Sequence, residues 1–313
     1  MPLPRVMADD PPDAFRQQLA GSAELVPWDA ATSDTSIVGL LTYGHPQVDD
    51  ALLARLPQLR VVSNFGVGVD HVDLAACEAR GIPVGNTPGC LDASTADMTF
   101  ALLLASARLV VAGDNYAHGP EFTHYDPSCM IGSEVTGSTL GIIGLGRIGK
   151  KVAQRARGFE MKLLYHNRKR DEAAEQEFNI KYRSLDELLA ESDFVALNCP
   201  LTAETKKLIG PAQFARIKPT GILINMARGP VVDHEALYEA LSTNQIRGAA
   251  LDVTDPEPLP RDHRLLTLPN LIITPHLGSA SDRTRRRMRE MTVGNLVAGL
   301  QGLPLPTRVR PNP

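Results

Sequence analysis

Apolar residues in this chain fall into short runs separated by amphipathic stretches, and the alternation occurs in two sets. In the first set, Ser36–Tyr43, Leu59–Ser63 and Ile82–Gly85 read as strands, and Pro12–Ala20, Gln47–Leu56 and Val72–Arg80 read as helices. Strand–helix alternation predicts a parallel sheet with helices on both faces. The second set opens at Thr139. Its strands are Thr139–Ile143, Lys162–Tyr165, Asp193–Asn198, Gly221–Asn225, Arg247–Leu251 and Leu271–Thr274, with helices between them at Arg147–Phe159, Ser184–Ala190 and His234–Leu241. Six strands wired this way predict a doubly wound sheet. Between the sets, Thr95–Tyr116 contains A-L-L-L-A-S-A-R-L-V-V-A, apolar on more than one face. It predicts one long buried helix, lying between domains or between subunits. Gly119–Gly137 reads as a connecting loop, Ser281–Leu300 as a last helix, and Leu303–Pro313 as a loosely held Pro-rich tail.

Composition narrows the class. A length of 313 residues exceeds most single cores and points to two domains. Hydrophobic content of 43% with 22% charged residues is that of an ordinary globular protein. A net charge of −4 and a pI near 6.1 give no overall attraction to nucleic acid or an anionic membrane. The basic cluster D-R-T-R-R-R-M-R at 282–289 has no aromatic interleaving, so it reads as a solvated helix face or an interface ion-pair set. No apolar run approaches the roughly 18 residues of a membrane span. The start M-P-L-P-R-V-M-A-D-D shows no secretory signal, and a cytoplasmic location is expected. Cys77, Cys90, Cys129 and Cys199 are far apart without a C-x-x-C pair, so reduced thiols and no metal site are expected.

The run T-L-G-I-I-G-L-G-R-I-G at 139–149 carries the first chemistry. G-x-G-x-x-G is a weak signal alone, but here it closes a strand and opens a helix, the context that dinucleotide binding requires. Gly144 suits the tight turn, Gly146 the close approach of a pyrophosphate, and Gly149 the packing of helix on sheet. The helix N-terminus then offers N–H groups and partial positive charge to phosphates. The end of the next strand decides which nicotinamide is used. NAD sites place an acid there for the ribose 2′-hydroxyl. This chain has L-L-Y-H-N-R-K-R: His166 and Asn167 stand where the acid would be, followed by Arg168, Lys169 and Arg170. A guanidinium clamps a 2′-phosphate that a carboxylate would repel, so NADP(H) is the expected cofactor, with NAD(H) weaker.

Three further residues each follow an apolar run: Arg228 in N-M-A-R-G-P, Glu257 in L-D-V-T-D-P-E-P and His276 in T-P-H-L-G-S. Carboxyl ends of strands are where open α/β sheets bind ligands. A guanidinium can hold a 2-oxo acid's carboxylate and polarise its carbonyl. An imidazolium can give the proton that must accompany a hydride and take it back in reverse. A carboxylate beside that imidazole favours its protonated form and fixes its tautomer. Arg228 is therefore read as substrate clamp and electrophilic aid, Glu257 as orienter and His276 as acid/base.

With these motifs in hand, the chain resembles the D-isomer-specific 2-hydroxyacid dehydrogenases over nearly its whole length. The resemblance is carried by G-L-G-R-I-G, N-M-A-R-G-P-V-V-D, A-L-D-V-T-D-P-E-P-L-P and T-P-H-L-G-S-A-S in order and spacing. Within that family it is most similar to glyoxylate/hydroxypyruvate reductases, and also looks like 2-ketogluconate reductases. It implies a flavodoxin-like substrate domain at 1–96 plus 281–313 and a Rossmann cofactor domain at 97–280. It places the active site in the cleft, with hinge closure excluding water. In F-G-V-G-V-D-H the resemblance assigns the N–H groups of Val67 and Gly68 to the substrate carboxylate. It also brings Leu145, Arg147, Ile148, Cys199, Pro200, Thr205, Met226, Ala227, Asp252 and Gly278 to the cofactor, with Asp252 facing the carboxamide, and Ser279 to the substrate. It implies a homodimer. One departure is T-Y-G-H at 42–45, where the reductase pattern is more apolar; Tyr43 or His45 would admit a larger or more polar substrate. The choice among glyoxylate, hydroxypyruvate and 2-ketogluconate stays open.

Two competitors share the fold. Transcriptional corepressors keep the Arg/Glu/His set and act as dinucleotide-sensing binding proteins, but they keep an acid after the second strand, which this chain lacks. Phosphoglycerate dehydrogenase is the other. Its long forms carry C-terminal regulatory domains, and this chain's end soon after the last helix argues only against those forms.

Overall fold

The computed structural model describes residues 2–29 and 35–309; the end of the Pro-rich tail, 310–313, lies outside them. Two compact units divide the chain: Met1–Leu91 with Ser281–Pro313, and Asp92–Ala280.

The first unit runs β1 (Arg5–Ala8), α1 (Asp13–Leu19), β2 (Glu24–Pro27), β3 (Ile37–Thr42), α2 (Asp50–Arg55), β4 (Val61–Asn64), α3 (Leu74–Ala79) and β5 (Val84–Gly85). Its strands are all parallel, in the order β2-β1-β3-β4-β5. This is the flavodoxin-like order, and its direction reverses between β1 and β3. The central strands β3 and β4 are buried along their length, which is why they read as continuous apolar runs. Asp49 and Asp73 accept from Leu52 N and Ala76 N, both at 2.8 Å, so α2 and α3 begin after these caps, later than the apolar pattern alone suggests. The strands β1 and β2 were not anticipated. Each has four residues, and their pairing with each other and with β3 makes them strands. The C-terminal helix Asp282–Leu300 belongs to this unit. Ser63 Oγ donates to Thr292 O (2.7 Å), and Asn295 Nδ2 donates to Asn86 O (3.1 Å).

The second unit contains α4 (Asp92–Ala107), α5 (Val110–His118), β6 (Thr139–Ile143), α6 (Arg147–Ala156), β7 (Lys162–His166), α7 (Glu172–Phe178), β8 (Ile180–Tyr182), α8 (Leu185–Glu191), β9 (Phe194–Leu197), α9 (Pro211–Phe214), β10 (Ile222–Asn225), α10 (His234–Ser242), β11 (Gly248–Leu251) and β12 (Leu271–Ile273), with the C-terminal helix as α11. A 3-10 turn, Arg157–Phe159, extends α6. The order is β12-β11-β10-β9-β6-β7-β8, all parallel, a doubly wound Rossmann sheet. It has seven strands rather than the expected six, because the edge strand β8 is only I-K-Y and too short to show a pattern. The first unit gives way to the second at Leu91/Asp92 rather than at 96/97, since α4 starts at Asp92 and packs on α6.

The expected single helix at Thr95–Tyr116 is two helices. Leu109 takes a left-handed backbone (φ 55°), and α5 leaves α4 at 58°. At the break, Ala107 O accepts Ser133 N–H (2.7 Å), a bond that an unbroken helix would make internally. Only α4 is buried; α5 has no buried residue, with Val110 and Val111 exposed. Among the described residues, no single helix is long and apolar enough to cross a membrane, and no cluster of three His, Cys, Asp or Glu is placed to hold a metal. All four cysteines are free thiols.

Candidate active site

Strand register assembles the site. Ile143 pairs with Leu197, Leu197 with Asn225, Asn225 with Leu251, and Leu251 with Ile273. The residues that follow these strand ends leave the sheet at one level, at its carboxyl edge. They are Gly144, Asn198, Met226, Asp252 and Thr274.

The β6–α6 turn is built for close approach. Gly144 has φ 97°, and a Cβ there would lie 2.5 Å from Cys199 N, so only glycine fits. Leu145 N–H donates to Asn167 Oδ1 (2.7 Å), which ties the turn to the end of β7. Gly146 caps α6 without a side chain, so no cap takes the first-turn N–H groups of Arg147, Ile148 and Gly149. The Arg147 side chain is engaged elsewhere, with Asp92 at 3.0 Å, so its backbone is what it offers a ligand. Beside the turn, Asn198 has both amide atoms buried without a hydrogen-bond partner. A buried amide left in this state calls for an external partner. A narrow turn, an uncapped helix N-terminus and an orphaned amide together fit a bound dinucleotide.

At the end of β7, His166 Nδ1 donates to Arg183 O (3.0 Å). Arg170 is committed to Glu175 (2.7 Å), which also accepts the Tyr165 hydroxyl (2.6 Å). Those two hydrogen bonds hold the Glu175 carboxyl below its ordinary range. Arg168 and Lys169 are exposed and make no ion pair among the described residues. The basic triplet therefore resolves into one structural cation and two available ones. On the β9 side, burial pushes the Cys199 thiol up to about 11, which keeps it protonated and unreactive. The Thr205 hydroxyl donates to Pro200 O (2.6 Å) and so shapes this loop. Met226 and Ala227 follow β10 as buried residues, and Ala227 N–H donates to Asn225 Oδ1 (3.0 Å).

Arg228 leaves the same turn with extended backbone, its carbonyl held by Asn225 Nδ2 (2.9 Å) and its Nη1 donating to Ala227 O (3.0 Å). The next residue, Gly229, lies directly against the Thr254 carbonyl, where a Cβ would collide with backbone. That contact brings the loop of Arg228 against the loop of Glu257. His276 Nδ1 and Glu257 Oε1 are 2.7 Å apart. Partial burial pushes the Glu257 carboxyl up. The hydrogen bond and charge of His276, the Thr254 N–H (3.4 Å) and the charge of Arg228 outweigh it and hold the group below the ordinary carboxylate range. His276 has a left-handed backbone (φ 56°), fixed by its N–H bonds to Asp252 O (2.9 Å) and Thr274 O (3.0 Å). The Asp252 carboxylate is 2% exposed and accepts from Thr274 Oγ1 (2.6 Å), Leu277 N and Gly278 N (both 2.7 Å). These bonds build the turn that presents His276. Gly278 is buried against Asp252 and Met226, and Ser279 is half-buried beside it.

Val67 and Gly68 belong to the other unit. The carbonyls around them are all turned inward: Gly66 O accepts Asn64 Nδ2 (3.1 Å) and Thr87 N (3.0 Å), Val67 O accepts Asn86 Nδ2 (2.8 Å), and Gly68 O accepts Asn64 Nδ2 (2.8 Å). Among the described residues, the N–H groups of Val67 and Gly68 have no acceptor. With its carbonyls spent, the loop has the N–H groups of Val67 and Gly68 left as donors for an anion. Asn64, Asn86 and Asn198 were not singled out from the sequence. Their only signal was an Asn directly at a strand's carboxyl end, in S-N-F-G, G-N-T-P and L-N-C-P.

Residues 100–278 match the family model for the D-isomer specific 2-hydroxyacid dehydrogenase NAD binding domain. The chain belongs to the D-2-hydroxyacid dehydrogenase family. A glyoxylate reductase from Pyrococcus horikoshii is 43% identical over 302 residues, covering 95% of this chain and 90% of that protein. One from Korarchaeum cryptofilum is 47% identical over 268 residues, covering 85% of this chain and 80% of its own. Among solved structures, an NADPH-dependent glyoxylate/hydroxypyruvate reductase from Sinorhizobium meliloti, in complex with NADP and malonate, superposes with a TM-score of 0.90 at 31% identity, covering 98% of this chain and 96% of that one. This dehydrogenase is therefore an oxidoreductase that uses a nicotinamide dinucleotide, and the matched segment includes the Gly144 turn, Arg228, Glu257 and His276.

Proposed function

We propose that this dehydrogenase reduces glyoxylate or hydroxypyruvate to the D-2-hydroxy acid with NADPH. The observation that carries the reading is the His276–Glu257 pair at 2.7 Å, set beside the loop of Arg228. The bound dinucleotide supplies the hydride. Glu257 holds Nδ1 of His276, which leaves Nε2 to give its proton to the carbonyl oxygen; each turnover consumes one proton. Arg228 polarises that oxygen and holds the carboxylate.

NADPH is favoured over NADH by the end of β7. No carboxylate stands there, and Asn167 is occupied by Leu145 N–H and so does not replace one. Arg168 and Lys169 are left for a 2′-phosphate. The names of the relatives support the substrate class. A homodimer is part of the same reading, with the uncovered apolar residues of α5 as its contact.

The test is a panel of glyoxylate, hydroxypyruvate and 2-ketogluconate, each assayed with NADPH and with NADH. The expected result is turnover of the first two with a lower KM for NADPH. Arg168→Ala should weaken NADPH far more than NADH. A lower KM for NADH overturns the cofactor preference. Dinucleotide binding without turnover of any oxo acid supports the corepressor-like reading instead.

A further inference from the structure

The helix α10 begins at His234, and Asp233 caps it by accepting the N–H groups of Glu235 (3.1 Å) and Ala236 (3.3 Å). His234 is 9% exposed, and neither of its ring nitrogens has a hydrogen-bond partner. A buried imidazole with two unpaired nitrogens is costly, so its place in the fold asks for a role. Its neighbours supply one. From the loop after β11, Asp255 faces the ring with its carboxylate and its backbone, two residues before Glu257. From the turn before the 3-10 helix Arg264–Thr267, the His263 ring meets it edge-on at 6.3 Å, with its own Nδ1 taken by Leu265 N–H (3.2 Å). The other charges on these elements are already paired. Lys207 holds Asp233 (3.0 Å), and Arg264 pairs with Glu235 and lies 3.8 Å from Glu239. The neighbouring helix α9 carries no charged residue.

Burial holds this imidazole below its ordinary value against the opposing pull of Asp255 and Asp233, and His263 adds to the effect of burial. The positive end of α10 also disfavours a charged ring. The ring is therefore neutral at neutral pH. On acidification it takes a proton and becomes a donor at both nitrogens. The acceptor it faces is Asp255, so satisfying it draws on the loop that carries Glu257. We infer that His234 is a positioning residue for Glu257: its neutral ring, packed against the loop, keeps Glu257 on His276, and a proton on that ring releases the contact. This role rests on His276 and Glu257 being the proton-transfer pair of the proposed function. It is separable from the titrations of that pair. Reduction of an oxo acid needs a proton on His276, so its loss shows on the alkaline side. Glu257 is held below the ordinary carboxylate range and keeps its charge to lower pH. A loss of rate between the ordinary carboxylate and histidine values, about 4.3 and 6.5, belongs to neither.

The test is the pH dependence of kcat for hydroxypyruvate at saturating NADPH, with folding checked by thermal midpoint at each pH. In the unaltered enzyme kcat should fall by about tenfold per pH unit below a midpoint under the ordinary histidine value, while the protein stays folded. His234→Phe keeps a ring but removes the titration, and should hold kcat steady down to the pH at which Glu257 is protonated. His234→Gln, polar and non-titrating, should do the same and serves if the larger ring does not fold. The His234 ring resonances, followed by NMR in the unaltered protein and assigned by their loss in the variants, should titrate with the same midpoint. Four results overturn the inference and leave the proposed function intact: no acid limb in the unaltered enzyme, an acid limb unchanged in a folded variant, a kcat lowered equally at every pH, or a His234 ring that titrates at or above the ordinary value. Absence of turnover of glyoxylate and hydroxypyruvate at every pH overturns the proposed function itself.

Discussion

The proposed proton transfer rests on one contact, the hydrogen bond between His276 Nδ1 and Glu257 Oε1. His276→Ala should lower kcat by roughly 10²–10⁴-fold, as for a lost acid/base group, and near-normal turnover in the steady state would remove His276 from that role. The same substitution removes the hydrogen bond and charge of His276 and leaves only the Thr254 N–H and the charge of Arg228 to oppose burial at the Glu257 carboxyl. Its titration, followed by carboxyl NMR, should therefore move upward. The pairing also links stability to pH. Because folding depresses the Glu257 carboxyl, its contribution is present above the unfolded value of about 4.3 and is lost as pH falls through the folded one. The difference in thermal midpoint between the unaltered enzyme and Glu257→Gln should shrink on acidification; a constant gap would mean that the pairing adds nothing. The loops that carry Arg228, Glu257 and His276 were legible in the sequence because each comes after an apolar run. The asparagines were not. Asn64 is recognisable as a loop anchor only once two carbonyls, of Gly66 and Gly68, are seen to accept from it.

At the scale of elements, the strand–turn–helix of β6 and α6 is the part most completely written in the sequence, since its glycines answer to local geometry. Gly144→Ala must place a Cβ against Cys199 N in a left-handed turn. It should weaken NADPH binding by more than about tenfold, a loss near 1.4 kcal/mol or greater, when measured by quenching of protein fluorescence; unchanged affinity would show that the turn is not the phosphate cradle. The end of β7 was legible for a similar local reason, as a missing acid and a basic triplet. Only the structure separated Arg170, locked on Glu175, from Arg168 and Lys169. The helix break at Leu109 was not legible. Apolarity continues through it unchanged, and the competing partner, Ser133 N–H, comes from a distant loop. The short strands β1, β2 and β8 escaped notice because three or four residues carry no period; pairing with a neighbour defines them.

At the scale of the whole molecule, α5 presents Val110 and Val111 (55% and 46% exposed) and the following loop presents Phe122 and Ile131 (52% and 71%), more apolar surface than a helix and loop facing only water would be expected to carry. Light scattering should give twice the 33.8 kDa of one chain, and Val111→Asp should shift it toward the monomer; a monomer in the unaltered protein would end the dimer reading. The family and the two α/β sheets could be read from the chain because each depends on local patterns, apolar runs and the residues that end them. The folded molecule alone decided what depends on partners distant in sequence. It joined α11 to the first unit through Ser63 and Asn86. It set five strand ends in one row and turned Asp252 into the support of His276. Hydrophobic period and turn chemistry act over a few residues and are present in any one-dimensional reading, whereas parallel pairing and buried hydrogen bonds join residues that the sequence keeps far apart.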